Sequence, residues 1–142
     1  FKCHITGTDI LDYRRRDTPF RLMTVGAKLP FGNDEFDICM FNDALHHCRD
    51  HGALLTEAAR VGRNVLLFEM EPTITAKVVE VLVNQIHNPR MDIPFNIKTL
   101  DQWRGYFKRL NLDFEYRKIK KPSFLYPFRN FCFNLKRTGS GK

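Results

Sequence analysis

Three short groups of residues carry side chains able to do chemistry. Asp9 closes the apolar opening segment Phe1-Lys2-Cys3-His4-Ile5 and reads as an acid at a strand end. Asn42 and Asp43 follow the near-continuous apolar run FDICMF at residues 36–41. His46, His47 and Cys48 come directly after them. In open α/β sheets, ligands bind in the crevice outside the carboxyl ends of the strands, which is where Asn42 and Asp43 should stand. An aspartate there can orient or deprotonate a reacting group. Histidine titrates close to neutrality, so His46 or His47 can act as a general base. Each also has a structural reading: Asn42 and Asp43 as helix caps, one histidine packed under the loop and the other solvated. Contiguous residues on a helix point in different directions, and zinc motifs need spaced ligands, so no metal site is expected from His46-His47-Cys48.

Composition narrows the class. Hydrophobic residues make up 43% of the 142 and charged residues 27%, which is soluble globular material rather than a disordered tail. Thirteen phenylalanines suggest a well-filled core or a face built to meet something flat. No run approaches the roughly 18 apolar residues of a membrane helix, and no signal peptide opens the chain. Cys3, Cys39, Cys48 and Cys132 show no paired spacing. They are expected to be reduced and mostly buried, as in a cytoplasmic protein. The net charge is +7, with basic clusters at Arg14-Arg15-Arg16, at Arg117-Lys118 with Lys120-Lys121, and at Lys136-Arg137. Such clusters favour an anionic partner such as RNA, or are solvated charge that also discourages edge pairing of strands.

Positioning these residues requires an α/β layer fold with a mostly parallel sheet. Strands are predicted at residues 1–9, 21–25, 36–41 and 64–69. The run at 36–41 is apolar enough to be buried on both faces. A helix is predicted over 50–61, with Asp50 as N-cap, Leu54, Ala58 and Val61 on one stripe, and Gly62 placed to end it. A second helix spans 74–87, with Ile74, Val78, Val81, Leu82 and Ile86 as its apolar positions. A loop with Pro89 and Pro94 follows. Thr99 and Gln102 form a capping box for a third helix, along which Leu100, Trp103, Phe107 and Leu110 repeat. Strands at 112–119 and 130–136 have no helix between them and should pair as an antiparallel hairpin. Residues 1–137 form the domain, and 138–142, ending Gly139-Ser140-Gly141-Lys142, a flexible tail.

Several pieces, in this order, resemble the class I S-adenosylmethionine-dependent methyltransferases. Ile5-Thr6-Gly7-Thr8-Asp9 is similar to that family's second strand with its terminal acid. Val25-Gly26-Ala27-Lys28-Leu29-Pro30-Phe31 through Phe36-Asp37-Ile38-Cys39-Met40 resembles its "LPF" loop and fourth strand. Asn42-Asp43-Ala44-Leu45-His46-His47 resembles the strand-end loop, and Leu54 to Val61 the helix after it. The final hairpin is a hallmark of the family. A narrower likeness, to a group with mostly unassigned substrates, rests on the "EA-RV" helix, Met91 to Asn96, Gln102-Trp103 and Leu125-Tyr126-Pro127.

The resemblance implies a Rossmann-like sheet with S-adenosylmethionine as cofactor. Asp9 would accept the ribose hydroxyls, and Ile10 would pack on the adenine. Ala27 and Lys28 would line the adenine loop. Gly26 stands where the family often has an acidic or amide residue, which leaves the adenine amino contact to backbone groups. Asn42 would touch the cofactor's amino-acid end, and Asp43 and His47 would be the catalytic pair. The family's glycine loop would fall upstream of Phe1, so the chain is expected to be truncated at its amino terminus. Self-association, or a partner chain completing the sheet, would then be expected. A small-molecule acceptor is preferred to RNA, in a pocket walled by Met91 to Phe95, Trp103 and Tyr126. The alternative is an inactive methyltransferase-like module that binds RNA or protein through its basic face.

Overall fold

The apolar run at 36–41 is a strand and the parallel neighbour of the next one, but it is not buried on both faces as its composition predicts, since Ile38 and Met40 are exposed. In the computed structural model, which describes residues 2–26, 28–87, 96–120 and 128–139, we number nine strands and helices in chain order and leave a 3-10 turn unnumbered. They are β1 (Gly7–Asp9), β2 (Phe20–Leu22), β3 (Phe36–Asn42), α1 (His51–Val61), β4 (Gly62–Met70), α2 (Ile74–His87), α3 (Leu100–Arg109), β5 (Leu112–Ile119) and β6 (Asn130–Arg137), with the 3-10 turn at Leu45–His47. β3 and β4 run parallel, with Cys39 opposite Val65 and Asn42 opposite Phe68. β6 is antiparallel to both β4 and β5, giving the order β3-β4-β6-β5. The mixed α/β architecture and the closing antiparallel hairpin are those expected from the sequence.

Two expectations need correction. The strand at residues 1–9 is confined to Gly7–Asp9, and the second to Phe20–Leu22. These two pair with each other in parallel and form a separate two-stranded sheet instead of joining β3. Among the described residues neither of them pairs with β3.

One face of the larger sheet is covered. The alternation along β4, β6 and β3 sends Val65, Leu67, Phe131, Phe133, Leu135, Cys39 and Phe41 to that side, where α1 and α3 pack on them. Leu55, Ala58 and Ala59 of α1 are buried there, as its apolar stripe predicts. Trp103 and Phe107 of α3 are fully buried and stack at 5.7 Å, each ring stabilising the fold by about 1.5–3 kcal/mol through burial. Trp103 is therefore a core residue and not a pocket wall. Met91 to Phe95 and Tyr126, its expected companions, lie outside the described residues.

The helix starts follow their caps. Asp50 accepts from the Ala53 amide, and Thr99 and Gln102 form the reciprocal capping box. α2 departs from its pattern: Ala76 is buried, while Ile74, Val78, Leu82 and Ile86 are exposed.

Candidate functional site

The candidate residues stand at carboxyl ends of strands. Asn42 is the last residue of β3 and is exposed. Asp43 follows with φ 48°, a left-handed conformation that turns the chain out of the strand. Its amide donates to the Phe68 carbonyl of β4 at 2.9 Å. Its carboxylate accepts from the Asn130 side-chain amide, at 3.1 Å to each oxygen. Asp43 is thereby fixed between β4 and the start of β6.

The turn after Asp43 is pinned from below by Glu69. Oε1 of Glu69 accepts from the Leu45 amide at 2.7 Å, and Oε2 lies 2.8 Å from Nδ1 of His46. His46 and Glu69 are each 1% exposed, so His46 is a buried anchor and not a base that solvent or substrate can reach. His47 is half-buried, with its ring centroid 4.0 Å from that of His46. The two histidines thus divide as one buried and one nearer the surface.

Asp9 ends β1. Its Oδ1 accepts from the Ile10 amide at 2.6 Å, and its carbonyl accepts from the Met23 amide at 2.9 Å. Asp9 and Ile10 are exposed. The structure brings Asp9 toward the turn after β3: burial raises the Cys48 thiol pKa first, and the charges of Glu69 and then Asp9 raise it further.

Lys28 is exposed in the β2–β3 connection, and Ala27 beside it lies outside the described residues. The charge of Lys28 is felt by Glu57 of α1. Glu57 and Arg60 hold the following loop. Glu57 Oε2 accepts from the Leu29 amide at 2.8 Å, while Arg60 donates to the carbonyls of Leu29 and Phe31 and to Glu57. Leu29 and Phe31 close over Val61.

Two residues of this site were not picked out from sequence. Glu69 carried a signal, as an acid within the apolar strand NVLLFEM, since a buried charged residue is the informative exception. Asn130 carried none, because its role comes from a partner 87 residues away.

Comparison with known proteins bears on the fold. Residues 3–65 match the family model for a methyltransferase domain. No curated protein matches the sequence. Among solved structures, a chain of the Haloferax volcanii complex formed by the Trm112 methyltransferase activator is similar, at TM-score 0.64 and 15% identity over 93% of this chain and 71% of that one. The trans-methyltransferase CalH, in complex with SAH, aligns at TM-score 0.65 and 14% identity over 94% of this chain and 42% of that one. Burkholderia thailandensis 1,6-didemethyltoxoflavin-N1-methyltransferase, with 1,6-didemethyltoxoflavin and S-adenosylhomocysteine bound, aligns at 0.62 and 12% over 95% and 61%. The chain has a mixed α/β, Rossmann-like fold. More narrowly, that fold is the class I methyltransferase fold, the one resembled in sequence.

Proposed function

We propose that this chain serves S-adenosylmethionine-dependent methyl transfer to a small-molecule acceptor. The observation that carries the reading is the placement of Asn42 and Asp43 at the carboxyl end of β3, with Asp43 held by the Phe68 carbonyl and Asn130. The exposed Asp9 carboxylate suits a ribose: one oxygen is engaged by the Ile10 amide, and a carboxylate has further acceptor capacity for hydroxyl donors. Ile10 offers apolar surface for the adenine, Ala27 and Lys28 are the adenine-loop residues by resemblance, and Asn42 would meet the amino-acid end. The sulfonium methyl is already activated, so transfer is an in-line displacement that asks chiefly for alignment. Asp43 orients the acceptor's nucleophile, and His47 is the nearby base. The exposed apolar edge of the sheet supports assembly with a second copy or a partner chain.

The test is calorimetry with S-adenosylmethionine on the parent and on Asp9→Ala. Loss of a charge-assisted hydrogen bond, about 1.5–3 kcal/mol, should weaken binding roughly tenfold to hundredfold. Equal affinity would remove Asp9 from the site.

A further inference from the structure

A cavity of about 240 Å³ opens where β4 and β5 end and β6 begins, lined by Glu71, Lys118, Ile119, Lys120, Arg129 and Asn130. Its frame is fixed: the Glu71 amide donates to the Arg129 carbonyl at 2.6 Å, tying the end of β4 to the start of the hairpin's return strand. Three cations face one carboxylate. Lys118 is paired with Glu71 at 3.0 Å, and among the described residues Lys120 and Arg129 have no carboxylate partner. Asn130 belongs to two places at once. It lines this cavity, and its amide nitrogen binds both oxygens of Asp43. Its own oxygen is buried and meets no donor among the described residues.

We propose that this cavity is the acceptor's anchoring subsite, and that the acceptor is a small molecule carrying a carboxylate. The inference rests on the methyl-transfer reading above. Lys120 and Arg129 take the carboxylate, and Arg129 presents a planar fork suited to it. The volume is below the roughly 300–1,000 Å³ of pockets that enclose a drug-sized ligand. It therefore suits a charged head group and leaves the rest of the acceptor toward Asp43. A nucleic-acid strand fits less well, because its phosphates would pass the Asp43 carboxylate. The other basic hollow, at Arg14 to Arg16, is weaker: Asp12 and Asp17 line it too, and Asp12 already binds Arg14 through both its oxygens.

Isotope-labelled protein is titrated with succinate at fixed ionic strength, following the Asn130 side-chain amide and the Arg129 backbone amide. Succinamide, its neutral counterpart, and a 12-nucleotide uridine oligomer are the controls. A saturable succinate shift, absent with succinamide and at least fivefold weaker in the Lys120→Ala/Arg129→Ala double variant, supports the subsite. Both residues are exposed, so the variant's amide dispersion should match the parent's. No saturable shift, an equal response to succinamide, or an unchanged affinity in the double variant overturns it. Oligouridine moving the same signals more tightly than succinate, with steep salt dependence, overturns it in favour of nucleic acid. Calorimetry with S-adenosylhomocysteine on the same sample separates the two levels. Cofactor binding without succinate binding defeats the subsite alone. Succinate binding without cofactor binding keeps the anion site and defeats the methyl-transfer reading.

Discussion

The Glu69 carboxylate and the His46 ring meet at 2.8 Å beneath the turn that follows Asp43, both closed off from solvent. The second Glu69 oxygen takes the Leu45 amide. One side chain at the end of β4 therefore sets the path of the chain leaving β3, and with it the direction of Asp43 and His47. Removing it strands two buried donors, each at a cost of about 1–3 kcal/mol. Glu69→Ala should lower the unfolding free energy by roughly 2–5 kcal/mol in urea titration. Glu69→Gln retains an acceptor for the Leu45 amide and should cost less. Equal losses in the two variants would mean that the cavity, and not the hydrogen bonds, dominates.

Glu57 links stability to pH. The Arg60 guanidinium, and then the Leu29 amide, hold its carboxyl below the ordinary glutamate value of 4.5 against an opposing push from burial. A depressed folded-state pKa stabilises the fold above the unfolded value, and the benefit is lost as pH falls through the lower folded value. Melting temperature should therefore fall on acidification below about pH 4.5. Glu57→Gln should start lower at neutral pH and lose less on acidification. A variant whose acid profile overlays the parent's would separate Glu57 from the acid transition.

Gly62 illustrates how far a sequence can be read. As a glycine after a helical stripe it predicts a left-handed helix stop. It instead has φ −115°, ordinary extended backbone, and is the first residue of β4. The need for glycine comes from β3: a Cβ here would sit 3.0 Å from both the Cys39 amide nitrogen and its sulfur, and 3.1 Å from the Asn64 carbonyl. Gly62→Ala gains about 0.4–1 kcal/mol from a stiffer unfolded chain. It loses about 1–3 kcal/mol to overpacking against backbone that the β3–β4 ladder holds in place. Net destabilisation of about 1 kcal/mol is expected from the urea midpoint. A stabilised variant would show that β3 can yield.

The same contrast runs through the site. Signals local in sequence were legible: the apolar run of β3, the Asp50 cap, the Thr99–Gln102 box and the helix-free hairpin. Asn42 and Asp43 could be placed because a strand end is a local feature. What sequence could not supply were relations across the sheet. Which histidine is buried depends on Glu69, 23 residues on, and the anchor of Asp43 is Asn130. The exposed stripe of α2 shows the converse, since periodicity states that a face is apolar but not what meets it.

The uncovered side of the larger sheet leads to the last prediction. Alternation places Ile38 and Met40 of β3 away from α1 and α3, at 53% and 65% exposure, with Leu66 and Phe68 half-buried beside them on β4. Among the described residues β3 pairs only with β4, so its other edge presents free backbone donors and acceptors next to that apolar surface. Unpaired edges of this kind template pairing with another chain, and apolar area left wet costs about 25 cal/mol per Å². Sedimentation velocity should therefore show association that grows with protein concentration. A lysine on an edge strand opposes such pairing, so Met40→Lys should shift the distribution toward monomer without changing the α1–α3 core behind it. A lysine elsewhere on the surface, such as Asp113→Lys on β5, adds more positive charge than Met40→Lys and should still leave association in place, which separates a loss of apolar contact from simple repulsion. A parent that stays monomeric across the concentration range would show that this face is not an assembly surface.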